Sequence, residues 1–196
     1  VNNKLFNKVL IIGLGLIGSS IARALREYKL TDQIVGYDID PKVQAKCYEL
    51  KITDEFINSI EDCHHHFDLI VICSPLSTYK SIFKSLNQQV KKSCIVTDVG
   101  STKLSVIKDF KNICTNDHIV FIPGHPIAGL EKSGPEYGFS KLFQNIFAID
   151  LILLGLTFSY CVIIAKQEFD MDTTKPIKRR IYNKKDPPEG KSCCSN

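Results

Sequence analysis

The chain has 196 residues, 44% hydrophobic and 23% charged, the ordinary make-up of a globular protein with room for one domain or one domain plus an appendage. Its formal net charge of +4 draws heavily on the C-terminal residues Lys178-Arg179-Arg180 and Lys184-Lys185, so the body is near neutral and lacks the basic face that nucleic-acid binding requires. The eight cysteines contain no CxxC, and Cys73 and Cys94 sit in apolar runs as small hydrophobes, a usage that argues against a disulfide framework and suits a reducing cytoplasm.

In chain order, residues 9–12 predict a first strand. The residues before it are mostly polar, and its apolar run is short and soon interrupted by glycines, unlike a secretory signal. The spacing of Ile17, Ile21, Ala24, Leu25 and Tyr28 predicts a helix with one apolar face. Residues 34–37 form a second strand, Pro41 opens the next helix at a favoured first-turn position, and a short strand is expected near Ile52. His64, His65 and His66 are consecutive, so they would alternate faces in a strand or fan out in a helix. They suit a polar loop, and no metal site is expected. A buried strand follows at residues 69–73, ended by Pro75, then a helix from Ser77 to Val90 and a strand over 94–97. A helix from Lys103 leads to a strand over 119–122, with His118 as its solvated start. Strands alternating with helices specify an α/β architecture, a doubly wound parallel sheet of Rossmann type.

Between the first strand and its helix lies Gly13-Leu14-Gly15-Leu16-Ile17-Gly18. In that context the glycines have separate tasks: Gly13 takes the tight turn, Gly15 lets the backbone approach a pyrophosphate, and Gly18 lets helix and strand pack closely. The helix start, with Leu16 and Ile17, offers free N–H groups to the phosphates. The competing reading is a glycine-rich turn with no ligand. Asp38, at the end of the second strand, is placed to accept hydrogen bonds from ribose hydroxyls and to repel a 2′-phosphate. Residues 39–42 contain no Arg to hold such a phosphate, so NAD is expected rather than NADP. Asp40 is either a second ribose ligand or the N-cap of the next helix. Ser74 and Pro75, after the strand over 69–73, are expected to face the same cofactor.

The chemistry should lie beyond the C-terminal ends of the strands. There the segments Asp98-Val99-Gly100-Ser101-Thr102-Lys103 and Gly124-His125-Pro126-Ile127-Ala128-Gly129, the latter followed by Glu131-Lys132-Ser133-Gly134, together with the glycine turn, resemble the prephenate and arogenate dehydrogenases. The resemblance extends from about Lys8 to Phe143. It implies hydride transfer from a ring alcohol to NAD with loss of carbon dioxide, in tyrosine biosynthesis in the cytoplasm. It further implies His125 as the base that removes the hydroxyl proton, Ser101 as a hydrogen-bonding partner of that hydroxyl, and Glu131 on the substrate side. Histidines titrate near neutrality and suit such a task, although a residue between Gly124 and Pro126 could simply shape a turn. Lys103 either approaches a substrate carboxylate or fills the first turn of its helix. Leu130 stands where the resemblance calls for a small hydroxyl residue.

The texture changes after Phe143, which gives three expected regions. Residues 1–145 form the Rossmann NAD-binding domain. Residues 146–165 are an apolar stretch, either a last strand or a membrane helix. Residues 166–196 form a charged, disordered tail. The helical C-terminal domain that makes the family's homodimer is not recognisable here. The competing function is therefore a non-catalytic NAD-binding module.

Overall fold

The computed structural model describes residues 4–63, 66–126 and 128–143. The expectations for 146–165 and 166–196, and those for His64 and His65, lie outside these residues. Six strands are found: β1 Phe6–Ile12, β2 Thr31–Tyr37, β3 Glu55–Phe56, β4 Leu69–Ile72, β5 Cys94–Asp98 and β6 Ile119–Ile122. Four helices connect them: α1 Leu16–Glu27, α2 Pro41–Glu49, α3 Tyr79–Gln89 and α4 Lys103–Ile113. All strand pairs are parallel, in the order β3-β2-β1-β4-β5-β6. The order reverses between β1 and β4, which opens a crevice above their C-terminal ends.

The pleat explains why both faces of the sheet are covered. Alternate β1 side chains point to opposite faces. Leu10 and Ile12 join a core with Ile82, Phe83 and Leu86 of α3 and Val106 of α4. Val9 and Ile11 join a second core with Ala22 and Leu25 of α1 and Cys47 of α2. β4 is buried along its whole length, as a central parallel strand must be. Phe83 anchors the first core through edge-on contacts with Tyr79, Phe110 and Phe121 at ring separations of 5.9, 5.3 and 5.5 Å.

The structure departs from the sequence expectation in three places. Leu16, Gly18, Ser19, Ser20, Ala22 and Leu25 form the buried side of α1, while Tyr28 is 42% exposed. Close backbone approach, rather than apolar periodicity, selects that side. The strand expected near Ile52 forms three residues later, at Glu55–Phe56; Ile52 is buried in the preceding turn, where its N–H donates to Cys47 O at 2.9 Å. β4 stops at Ile72, and Cys73 begins the loop.

Burial sets the chemistry of the core thiols. Cys47 is pushed from 9.0 up to about 12 by burial and then by the Asp38 charge. Cys63 is likewise pushed up to about 12, by burial and then by Asp62. A raised folded value means that the protonated thiol is favoured by folding. The associated stability is present below pH 9 and is lost as the pH rises from there towards 12. Three pKa units leave ~10³-fold less thiolate, so both cysteines should alkylate with iodoacetamide far more slowly in the folded chain than in urea at pH 8. Equal rates in the two states, read by peptide mass, would show that these thiols are not held in the core.

Candidate functional site

The crevice is built first by the glycine turn. Gly13 has φ +90°, a conformation that side chains disfavour, and its N–H donates to Tyr37 O at 2.8 Å, tying the ends of β1 and β2 together. A Cβ on Gly13 would lie 2.7 Å from Ser74 N, so the turn packs directly on the loop after β4. A Cβ on Gly18 would lie 2.0 Å from Gly13 O. Gly15 differs, since a Cβ there would meet nothing within 4 Å. Gly15 is also the N-cap of α1, which has neither a capping side chain nor an acidic residue in its first turn. The first-turn amides, including those of Leu16 and Ile17, are therefore left to an anion. This cradle fits a pyrophosphate.

Asp38 follows β2 and is half-buried. Its Oδ2 accepts from Leu14 N at 2.8 Å and its Oδ1 from Asp40 N at 3.0 Å. One carboxylate thus braces the glycine turn, a role the sequence did not reveal, and its remaining lone pairs are available for ribose hydroxyls. Asp40 is the N-cap of α2, accepting from Lys42 N at 2.9 Å. Ser74 Oγ pairs with Thr78 Oγ1 at 2.8 Å, and Pro75 is exposed beside it. Both lie on the loop that packs against the glycine turn. Burial and then the Asp98 charge push the Cys73 thiol well up, which favours its protonated form.

The second half of the crevice is organised by Asp98, which sequence reasoning passed over. Its side chain is 0% exposed at the end of β5. Oδ2 accepts from Gly100 N at 2.9 Å and from Lys103 Nζ, and Oδ1 accepts from Gly124 N at 3.2 Å. Lys103 Nζ also donates to Gly124 O. The residues just before Ser101 and His125 are therefore held by the same carboxylate. Ser101, His125 and Glu131 are exposed at this edge, and among the described residues their side chains take no hydrogen bond or ion pair. Lys103 does not project freely as Ser101 and His125 do. Leu130 is 51% exposed.

Beyond Glu131 the chain returns over α1. Phe139 N donates to Ser20 Oγ at 3.1 Å, and a Cβ on Gly138 would lie 2.1 Å from Ser19 Oγ. The small side chains of α1 thus admit both β1 and this returning segment. Among the described residues no group of three or more His, Cys, Asp or Glu could hold a metal ion, and no helix is long and apolar enough to cross a membrane. His66 Nε2 lies 3.1 Å from Asp68 Oδ1 instead.

Residues 21–150 match the family model for the prephenate dehydrogenase nucleotide-binding domain. The match begins inside α1 and runs to Asp150, past the Phe143 limit expected from the motifs. A cyclohexadienyl dehydrogenase from Zymomonas mobilis is 38% identical over 140 residues, covering 71% of this chain and 47% of that protein. A prephenate dehydrogenase from Lactococcus lactis is 32% identical, covering 72% of this chain and 40% of its own length. This chain thus spans about half the length of the curated relatives it matches. Among solved structures, prephenate dehydrogenase from A. aeolicus in complex with hydroxyphenyl propionate and NAD+ superposes with a TM-score of 0.63 at 38% identity, covering 70% of this chain and 47% of that one. A Synechocystis arogenate dehydrogenase, at 23% identity and TM-score 0.62 over 81% of this chain and 56% of its own, shares the fold. With its Rossmann strand order, its open glycine cradle and this match, the chain belongs to the prephenate dehydrogenase family through the nucleotide-binding domain.

Proposed function

We propose that this chain is the nucleotide-binding half of an NAD-dependent prephenate or arogenate dehydrogenase working in the cytoplasm. The observation that carries the reading is the cradle at Gly15, open to a ligand and faced by uncommitted helix amides, with Asp38 at its ribose end. Bound NAD supplies the hydride acceptor. The chain's part is to hold it by the first-turn amides of α1, with Gly13, Gly15 and Gly18 shaping the close approach, on one side and by Ser74 and Pro75 on the other. On the substrate side His125 takes the ring hydroxyl's proton, Ser101 hydrogen-bonds the same oxygen, and Glu131 lines the approach. Loss of carbon dioxide makes the ring aromatic and drives the step, so orienting the ring is the main demand on the protein. The test is NADH formation from prephenate and from arogenate, using this chain alone and this chain extended by the second half that its relatives carry. Absence of NADH in both, with NAD still bound, would leave a nucleotide-binding module instead.

Cofactor choice gives a separate expectation. Calorimetry should show NAD bound more tightly than NADP, because the Asp38 carboxylate meets the ribose and repels a 2′-phosphate. Asp38→Ala should weaken NAD and narrow the gap, partly by releasing Leu14 N–H in the turn. Equal or tighter binding of NADP by the unaltered chain would overturn the assignment.

A further inference from the structure

We propose that Asp98 and Lys103 form a positioning clamp that sets Ser101 and His125 relative to one another, and that Lys103 does not act as a ligand for the substrate's carboxylate. The inference rests on the proposed roles of His125 and Ser101. The clamp itself is read from the ligand-free chain. Gly124 is held at both its backbone groups, its N–H by Asp98 Oδ1 and its C=O by Lys103 Nζ. Gly100 is held by Asp98 Oδ2, the oxygen that also takes the lysine. Anchoring the residue immediately before each of Ser101 and His125 on a single carboxylate restrains how far apart their backbones can lie. At Gly124 the glycine has a steric reason in the backbone, while at Gly100 a side chain would crowd its neighbours' side chains. A Cβ on Gly124 would lie 2.7 Å from Asp98 O, and one on Gly100 would lie 3.0 Å from Asp98 Oδ2 and 2.6 Å from Leu76 Cδ2.

A buried ion pair is weak evidence of stability, since desolvation offsets most of its attraction. Its effect here is geometric. Asp98 takes the Tyr79 hydroxyl besides these two amides and the lysine, and two of the three ammonium hydrogens of Lys103 are committed, one to the end of β5 and one to the loop after β6. An ammonium occupied in this way has one donor left, and its charge is compensated by a carboxylate that water does not reach. A substrate carboxylate would have to compete with Asp98 for it.

Amide NMR on the ligand-free 196-residue chain tests the clamp. Lys103→Met leaves an uncompensated buried carboxylate and could unfold the chain. The charge-neutral pair Asp98→Asn with Lys103→Met is therefore measured beside it, with Lys103→Arg as the conservative variant. In the neutral pair the Gly100, Ser101, Gly124 and His125 amide signals should move together, and Gly124 N–H exchange should accelerate about 10-fold or more, the usual effect of losing a hydrogen bond to a charged group. Gly13 and Gly15 signals and the Kd for NAD should stay near those of the parent, and Lys103→Arg, which keeps Asp98 as the acceptor, should leave Gly124 N–H protected. If Lys103 is a substrate ligand alone, all four signals stay in place and the clamp is overturned. In a chain that turns over, Lys103→Arg should lower kcat about 10-fold with little change in KM, whereas a raised KM with unchanged kcat returns Lys103 to the substrate. Failure to form NADH at all counts against the proposed reaction and leaves the amide result standing as the measure of the clamp.

Discussion

Gly15→Ala is expected to leave the fold intact while lowering NAD affinity by about 5- to 150-fold, the binding equivalent of forcing ~1–3 kcal/mol of overlap into a packed contact. The methyl would enter open space in the ligand-free chain, with nothing within 4 Å. The backbone at Gly15 has φ −68° and ψ −158°, accessible to alanine. Folding stability should then hold or rise, by up to ~1 kcal/mol, because alanine has less freedom to lose than glycine. Gly18→Ala is the contrasting variant. Its methyl would fall 2.0 Å from Gly13 O, so α1 must move away from β1, and stability and nucleotide affinity should fall together. Thermal melts with calorimetry on both variants decide the matter. If Gly15→Ala binds NAD like the parent, no phosphate approaches that residue and the cradle has been misassigned.

His125→Ala should lower the catalytic rate by roughly 10²- to 10⁴-fold in any form of the chain that forms NADH, the range associated with a positioned general base. NAD affinity should barely change, because the amides of the glycine turn and the Asp38 carboxylate lie at the other end of the crevice, on β1, α1 and β2. The imidazole is exposed and takes no partner among the described residues, which leaves it available to a substrate oxygen. An unchanged rate would mean that His125 only shapes the chain between Gly124 and Pro126. Stopped-flow NADH formation separates the two outcomes without relying on KM.

The strands and the glycine turn were legible because their signals are local. β4 reads as an unbroken apolar run and β5 as an apolar run closed by Thr97 and Asp98, and the glycine turn lies where a first βα unit places it. Asp38 could be named from its distance along the chain after Gly18. The side of α1 that packs was less legible, since Ser19 and Ser20 are buried for their small size and not for their hydrophobicity. Apolar periodicity reports exclusion of water and is silent about close approach. Asp98 was missed for a related reason. An acid closing a buried strand has no pattern of its own, and its partners lie at Gly100, Lys103 and Gly124, the last of these 26 positions away. Lys103 carried two readings in sequence, and neither included its bond to the distant Gly124 carbonyl.

The contact of the glycine turn with the loop after β4 also bears on the order in which the chain can assemble. Val9 pairs with Leu69, and Gly13 packs against Ser74, so the centre of the sheet forms only after some sixty intervening residues have been gathered in. Asp68 reinforces the same junction by accepting from Lys8 N at 3.2 Å. Closing so long a loop before any central pairing slows folding relative to a chain of local contacts. During synthesis the packing of Gly13 on Ser74 awaits the emergence of residue 74, whereas the Asp98 junction must await Gly124 as well.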